Sequence, residues 1–569
     1  MAPGVRQVYA FAARRRSSRA SGDRAETEST TVSHFLRFAA IACLAATLPA
    51  QAILSTDGIG GSGPTSKTVV RDAAGTLYAV SVVSNAGTNS VTLFFSFDDG
   101  ASWFANPAVV NDATSGLSGS ATTLTNHCAL AIDDVGTLHV LWASYYYPSY
   151  YKQYYRQIVP STSTYSAIVD LSAALGSAVL TRTAAMDIAV DALNTVWIVA
   201  HGASAWVERL IGSTTPYAST LAFTTYGAIS ASASAQTTRI AVDAFNVVHC
   251  AYYRNTGAGI YEHRAYTPGT GWGVATTIGN IAAPNDFYGN IAADAYGNVY
   301  ALIAKDTGPA GTWQYVLRTR DVAGVWSAET SVFSVTAAQY TGIANYFICA
   351  LAVDEDSGLV SVVHRDLAGA GGLRVAQKGN LDAAFTYAPN DLTAGSTGLH
   401  AYYMPTVRGS LFPAFNRTGG ALHLAWTERF PLPPYNLVFK RHRSSTLTLN
   451  APAVVGTTTS LAGRSASEPN AAYAAGFALT NVPPIVLPDL RIVPLTDDFL
   501  LTLSLTPGNG IFTNTLGLLD AGGNTTVGFA VPAIPALVGF PIYGCLVSAD
   551  PVDPTGIGSI SPALTIIFQ

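Results

Sequence analysis

Short apolar runs that break at an aspartate and resume a few residues later recur along most of this chain. The clearest copy is Asn126-His-Cys-Ala-Leu-Ala-Ile-Asp-Asp-Val-Gly-Thr-Leu-His-Val-Leu-Trp142. Related copies are Val70-Arg-Asp-Ala-Ala-Gly-Thr-Leu-Tyr78, Ile188-Ala-Val-Asp-Ala-Leu-Asn-Thr-Val-Trp197, Ile240-Ala-Val-Asp-Ala-Phe-Asn-Val-Val-His249 and Ile291-Ala-Ala-Asp-Ala-Tyr-Gly-Asn-Val-Tyr300. Leu351-Ala-Val-Asp-Glu-Asp-Ser-Gly-Leu-Val360 and, more loosely, Phe415-Asn-Arg-Thr-Gly-Gly-Ala-Leu-His423 complete the set. Each reads as a strand, a tight turn and a second strand, because aspartate bonds its own backbone at a turn and Gly or Asn tolerates the positive φ that follows.

The turn residues Asp72, Asp133, Asp191, Asp243, Asp294 and Asp354, with Asn416 in the seventh place, are 61, 58, 52, 51, 60 and 62 residues apart. A period of that length carrying several short strands predicts a β-propeller with four strands to a blade. A lone sheet cannot bury both faces, whereas a ring of sheets buries them against one another and leaves no long open edge. The expectation is an all-β chain: a leader over 1–52, a seven-bladed β-propeller over 53–449 and a small C-terminal β-sandwich over 450–569. The last blade takes its outermost strand either from Ser444–Leu449 or from residues 53–59, and the pattern leaves both open.

Composition narrows the setting. The chain has 569 residues, of which 49% are hydrophobic and only 11% charged, with a net charge of -5. That excludes a disordered chain and gives no reason to expect nucleic acid or an anionic membrane as partner. Near the N-terminus, His34-Phe-Leu-Arg-Phe38 leads into the apolar run Ala39–Leu48 and then Pro49-Ala-Gln-Ala52. This is the layout of a secretory signal peptide cleaved near Ala52, and the run is too short for a permanent span. The expected mature species is a secreted or cell-surface monomer. Beyond Cys43, the cysteines Cys128, Cys250, Cys349 and Cys545 each sit in an apolar strand-like run, and three belong to non-neighbouring repeats. They read as small buried hydrophobes rather than disulfides or zinc ligands.

The repeat register names the end of the ring where chemistry would gather. Starts of first strands contribute His127, Asp187 and Arg239; ends of second strands contribute Ser144, Tyr145, Tyr146, Tyr147, His201, Tyr253, Arg254, Lys305, His364, Arg365, Glu428 and Arg429. Tyrosine offers a flat apolar face and a hydroxyl, which suits a sugar ring. The candidate ligand-binding residues are therefore Tyr145, Tyr146, Tyr147, His201, Tyr253, Arg254, Arg365 and Glu428. Tyr150–Tyr155 are expected to pack between blades. His139, His249 and His423 share one register with Tyr78, Trp197 and Tyr300, which marks them as structural. No cofactor or metal is expected.

The outer hairpin of the first repeat, Ser96-Phe-Asp-Asp-Gly-Ala-Ser-Trp103, matches the Asp-box Ser-x-Asp-x-Gly-x-x-Trp. In this the chain resembles the sialidase-like (BNR-repeat) propellers, where the box steadies the outer turn and its Trp packs between blades. Worn copies are Tyr266–Trp272 and Arg320–Trp326. Sialidase activity needs an arginine triad, a Tyr/Glu pair and an acid Asp, and no spacing here singles out such a triad. A weaker resemblance, over residues 126–145, is to seven-bladed propellers that include ulvan-type polysaccharide lyases. It implies His127 as base or acid, with Arg239 or Arg254 on the uronate carboxylate. The family's second, loop-borne His is replaced here by tyrosines, and its third-blade Tyr and Arg positions fall near Ala185 and His201.

After residue 450, apolar segments at Phe499–Leu505, Thr525–Pro532, Tyr543–Ser548 and Ala563–Phe568 read as strands. The region resembles the C-terminal β-domains of many secreted bacterial repeat proteins at Leu519–Asn524 and Pro535–Gly539, which implies attachment or sorting, or passive stabilisation. The expectation for the whole chain is a non-catalytic binding protein for polysaccharide or glycoprotein, with a diverged lyase or a sialidase-like hydrolase as the alternative.

Overall fold

The computed structural model describes residues 52–58 and most of 67–569, the larger gaps being 113–126, 172–179, 281–288, 337–348 and 388–411. Residues 1–51 of the expected leader, Tyr147, Asn416 and Arg429 lie outside the described residues, as do the side chains of His127, Tyr145, Tyr146, His201, Arg365 and Glu428.

The second to sixth repeats each form an antiparallel sheet in chain order, and the first and seventh are joined through Ala52–Gly58 in one eight-stranded sheet. The third repeat shows the pattern: Asp187–Val190 pairs with Val196–His201, that strand with Glu208–Ser213, and the last with Phe223–Ala228. The first strands of the repeats are Val69–Arg71, His127–Ile132, Asp187–Val190, Ala235–Val242, Asn290–Ala293, Cys349–Val353 and Phe412–Phe415. Each lies against the next, and the last lies against the first. This closed circuit of sheets is a β-propeller arrangement.

The cores lie between neighbouring sheets. Val80, Leu93 and Val110 of the first repeat meet Leu130, Val140 and Trp142 of the second. Val69, Ala79 and Phe94 meet Ala425, Leu437 and Phe439 across the junction of first and last repeats. Tyr154 joins the cluster on one side of its strand and Tyr155 the cluster on the other, as expected for that tyrosine-rich strand. Cys128, Cys250, Cys349 and Cys545 are all free and buried, and burial raises each thiol pKa.

The turn aspartates do more than bend the chain. Asp191 Oδ1 accepts from Leu193 N at 2.9 Å and Thr195 N at 2.8 Å, and its Oδ2 accepts from Trp197 Nε1 at 2.9 Å. The same second oxygen meets Tyr78 in the first repeat, His139 in the second, His249 in the fourth and Tyr300 in the fifth. The aromatic register read from sequence is thus a set of donors tied to the turn. The positive-φ position holds Gly75, Gly136 and Gly297, or Asn194 and Asn246. Where it is asparagine, the side chain reaches back one sheet: Asn194 Oδ1 accepts from Asp134 N at 3.1 Å, and Asn246 Oδ1 from Ala192 N at 2.8 Å.

An arginine clamp, absent from the sequence reading, also recurs. Arg156, Arg264 and Arg318 lie over Tyr165, Trp272 and Trp326 at 4.9, 4.8 and 5.9 Å. Each Nε donates to a carbonyl beside that ring, of Ser166, Gly273 and Ser327 respectively. Each Nη1 donates to a carbonyl outside the arginine's own hairpin, of Val110, Ile229 and Ile278. In the first repeat, Ser96 Oγ accepts from Gly100 N at 2.8 Å, and the Trp103 ring lies 4.7 Å from that of Phe439 in the last repeat.

The alternative left open for the last sheet is decided by pairing. Ala52–Gly58 adds to the edge of Tyr435–Arg443 with Ala52 opposite Phe439 and Gly58 opposite Tyr435. Thr446–Leu449 instead pairs with Thr458–Arg464 in a C-terminal sheet.

The C-terminal region holds a sheet of Thr446–Leu449, Thr458–Arg464, Asn524–Ala530 and Phe512–Thr513, and a second built on Ala472–Ala478 and Pro541–Ala549. Leu447, Leu461, Val527 and Phe529 of the first share a core with Phe477, Ile542, Leu546 and Ile566 of the second. One expected strand is not a strand: Phe499–Ser504 is a helix. Its alternation of Leu with Thr and Ser imitates a strand, but Asp498 caps it by accepting from Leu501 N. The buried pair Leu501 and Ser504 has helical spacing. Ser504 Oγ donates to Leu501 O and accepts from Phe477 N, so its burial costs little.

Candidate ligand-binding end of the ring

The first strands begin, and the second strands end, at one end of the ring. Lys67, two residues before Val69, reaches across it. Its Nζ donates to Ile188 O at 3.1 Å and Ile240 O at 3.0 Å and stands 3.7 Å from Asp187 Oδ1. One lysine therefore ties the first repeat to the third and fourth. Its side chain is 41% exposed while that of Asp187 is 2% exposed, so a partly exposed cation rests on a buried carboxylate.

Asp187 heads its strand as expected. Oδ1 accepts from Ile188 N at 2.9 Å and Oδ2 from Ile240 N at 2.9 Å in the next sheet. Burial raises its pKa, and the charges of Lys67 and Arg239 oppose that rise. Arg239 does not head its strand: Ala235–Val242 starts earlier and shifts register between Gln236 and Arg239, which carries the guanidinium inward. There it is buried and donates from Nη1 to Thr238 O at 3.1 Å. Glu208, also buried, accepts from Thr238 N at 2.9 Å and from the Thr238 hydroxyl.

The end of the fourth repeat's second strand carries Tyr253 and Arg254. Tyr253 is buried, with its ring 5.9 Å from Tyr261, so it belongs to the packing between sheets. Arg254 is 30% exposed, and its Nη2 lies 3.2 Å from Glu262 Oε1. Burial, then the Glu262 charge, raises the Tyr252 phenol pKa. Lys305 pairs with Glu329. His364 is buried with its ring 4.1 Å from that of Phe333. The strand Leu138–Tyr146 reaches the same end through Tyr145 and Tyr146, opposite Tyr151 and Tyr150. His201 ends its strand opposite Glu208.

The structure thus brings Asp187 and Arg239 of the expected set together and leaves Arg254 on a separate ion pair. Lys67, Glu208 and Glu262 were not singled out in the sequence. A signal existed for the two glutamates: each is the lone carboxylate of a short strand, and such a group when buried requires a partner. Among the described residues, no group of three or more His, Cys, Asp or Glu side chains could hold a metal ion. Nor is any helix among them long and apolar enough to cross a membrane.

No family model matches the chain, and neither does any curated protein. Among solved structures it is similar to the polysaccharide lyase Uly1, at 11% identity and a TM-score of 0.40 over 67% of this chain and 90% of that one. It is also similar to an α-L-arabinofuranosidase from Fusarium graminearum solved with an iminosugar inhibitor, at 10% identity and a TM-score of 0.36 over 69% and 96%. A third is an exo-β-1,3-galactanase from Phanerochaete chrysosporium, at 10% identity and a TM-score of 0.31 over 83% and 93%. Similarity this low assigns none of their activities to this chain.

Proposed function

We propose that this chain is a secreted, non-catalytic binding protein for polysaccharide or glycoprotein at the cell surface. Its binding part is a seven-bladed propeller, with residues 53–58 closing the last blade, followed by a C-terminal β-sandwich. The pairing of Thr446–Leu449 within the C-terminal sheet favours a boundary at about residue 445 rather than 449. The Ser96–Gly100 bond and the Trp103–Phe439 contact support the Asp-box reading of the outer turn.

The observation that carries the binding reading is the set of partly exposed charged groups held in fixed geometry at one end of the ring. Arg254 and Lys67, whose side chains are 30% and 41% exposed, are held there by the buried carboxylates of Glu262 and Asp187. Cations fixed in this way suit the hydroxyls of a glycan, each of which accepts hydrogen bonds. Tyr145, Tyr146, Tyr147, His201, Arg365 and Glu428 are the further candidates at that end. The enzymatic alternative asks His127 to move a proton and Arg239 or Arg254 to neutralise a uronate. Arg239 is buried and Arg254 is engaged with Glu262, which favours binding over turnover.

A polysaccharide array with the full secreted chain tests this. We expect retention on at least one polymer, weakened at least about tenfold by Arg254→Ala or Tyr146→Ala, as for loss of a well-placed contact. Release of unsaturated uronides or sialic acid, abolished by His127→Ala, would replace the reading with an enzymatic one.

A further inference from the structure

At the end of the ring opposite that site, each first strand turns into its second. The position two after the turn aspartate holds Val135, Leu193, Phe245 and Tyr296 in the second to fifth repeats, and all four are between 59% and 66% exposed. The turn uses only the backbone of this position. Its N–H donates to the aspartate Oδ1, at 3.1 Å for Val135 and 2.9 Å for the other three. The fold therefore leaves the side chain open to choice, and an exposed turn ordinarily takes a polar one. The preceding residue is alanine in three of the four turns, Ala192, Ala244 and Ala295.

The four tips join into one surface. Asn194 Oδ1 on Asp134 N and Asn246 Oδ1 on Ala192 N hold neighbouring turns together. Phe245 lies across Gly297, where a Cβ would stand 2.4 Å from its ring and 3.3 Å from Val322 in the outer turn of the fifth repeat. Val322 is 65% exposed. Scattered exposed hydrophobics are ordinary, but these five form a contiguous arc of roughly 500 Å², a size at which apolar patches are often functional.

We infer that this arc is the interface of a face-to-face dimer of the chain, in place of the expected monomer. Two copies apposed about a two-fold axis bury about 1,000 Å² in all once the alanines and backbone of the turns are included, which reaches the lower bound for a specific interface. An anionic membrane fits less well, because apolar anchors of that kind work beside basic residues, whereas these four turns carry Asp133, Asp134, Asp191, Asp243 and Asp294. Joined there, the two copies carry their Lys67 and Arg254 ends outward in opposite directions, so one dimer bridges two polymer strands. That consequence, unlike the interface itself, rests on the binding reading above.

Sedimentation velocity of the full secreted chain without ligand tests the interface from about 1 to 100 µM, where an interface of this size half-associates. The expected result is a mass that rises from one chain to two. Phe245→Asp should raise the dimer Kd about tenfold or more, because it places a carboxylate at the middle of an apolar contact. Val538→Asp, at a 60% exposed valine of the C-terminal region, should leave it within about twofold. If Phe245→Asp does not fold, Leu193→Asp makes the same test from the neighbouring turn. A chain that stays single over the whole range overturns the inference and leaves the binding reading untouched. So does a dimer that folded Phe245→Asp leaves intact or that Val538→Asp dissolves. Flotation of a single chain with phosphatidylcholine–phosphatidylglycerol vesicles, lost in Phe245→Asp, would assign the arc to a membrane instead.

Discussion

Asp243 concentrates in one side chain what the repeat does at every turn. Its Oδ1 accepts from Phe245 N and Val247 N, each at 2.9 Å, and its Oδ2 faces His249 Nε2 at 3.0 Å. Alanine there removes all of these and leaves the buried His249 facing an empty site. A hydrogen bond to a charged acceptor contributes about 1.5–3 kcal/mol. At the low end, because the turn amides can turn to water, the loss comes to about 4 kcal/mol, or about 3–5 once the bonds are treated as coupled. Asp243→Asn keeps one acceptor for the two amides and should lose about half as much. Asp321→Ala is the control, since Asp321 accepts from Val325 N at 2.8 Å in an exposed turn, and it should cost about 1 kcal/mol. Urea midpoints followed by tryptophan fluorescence read all three. If Asp243→Ala and Asp321→Ala agree to within about 0.5 kcal/mol, the shared turn carboxylate is not the fastening described above.

The same site predicts two separate acid limbs. Burial pushes the Asp243 carboxyl pKa up, but the bonds from His249 and the turn amides outweigh it, and the group titrates below the usual carboxylate range. Its contribution is present above the unfolded value of about 3.9 and is lost as pH falls through the lower folded value. Burial, then the neighbouring His249 and Arg320, hold the His263 pKa well below the usual imidazole range. The unfolded chain takes up that proton first, so this contribution is complete above pH about 6.5 and is lost as pH drops below it. The urea midpoint should therefore fall first below pH about 6.5, and His263→Phe should flatten that limb while leaving the more acid one. An unchanged first limb in His263→Phe would assign it elsewhere. For the clamp, Arg264→Ala loses bonds to Gly273 O at 2.9 Å and Ile229 O at 3.0 Å and the ring of Trp272 at 4.8 Å. It should cost about 2–4 kcal/mol in thermal melts, and Arg264→Lys should recover less than half, because an ammonium cannot reproduce the guanidinium fork.

Much of the ring was legible because its signals are local. An aspartate, a positive-φ residue and an apolar run on each side lie within a dozen positions, and they repeat. The register assigned to His139, His249, Tyr78, Trp197 and Tyr300 as structural positions is the one in which their side chains meet the turn aspartates. The site was less legible. Asp187 was found because it heads a strand, whereas Arg239 was placed at a strand start when a register shift carries it into the interior. Tyr253 was read as a ligand-binding residue, yet the adjoining sheet covers it. Both errors have one cause: a strand end marks height along the ring but not whether a neighbouring sheet packs over the side chain.

Sequence by itself determined the repeat, its spacing, the turn chemistry and the burial of the four cysteines, since each follows from residues close together in the chain. Tertiary structure decided which segment closes the last sheet, because any extended segment can satisfy a bare strand edge and only proximity in space selects Ala52–Gly58. It decided the helix at Phe499–Ser504, where a capping side chain and a buried face outweighed a two-residue alternation. It also placed Lys67 on carbonyls 121 and 173 positions away. No local pattern encodes such a contact, because the distance it spans closes only when the ring does.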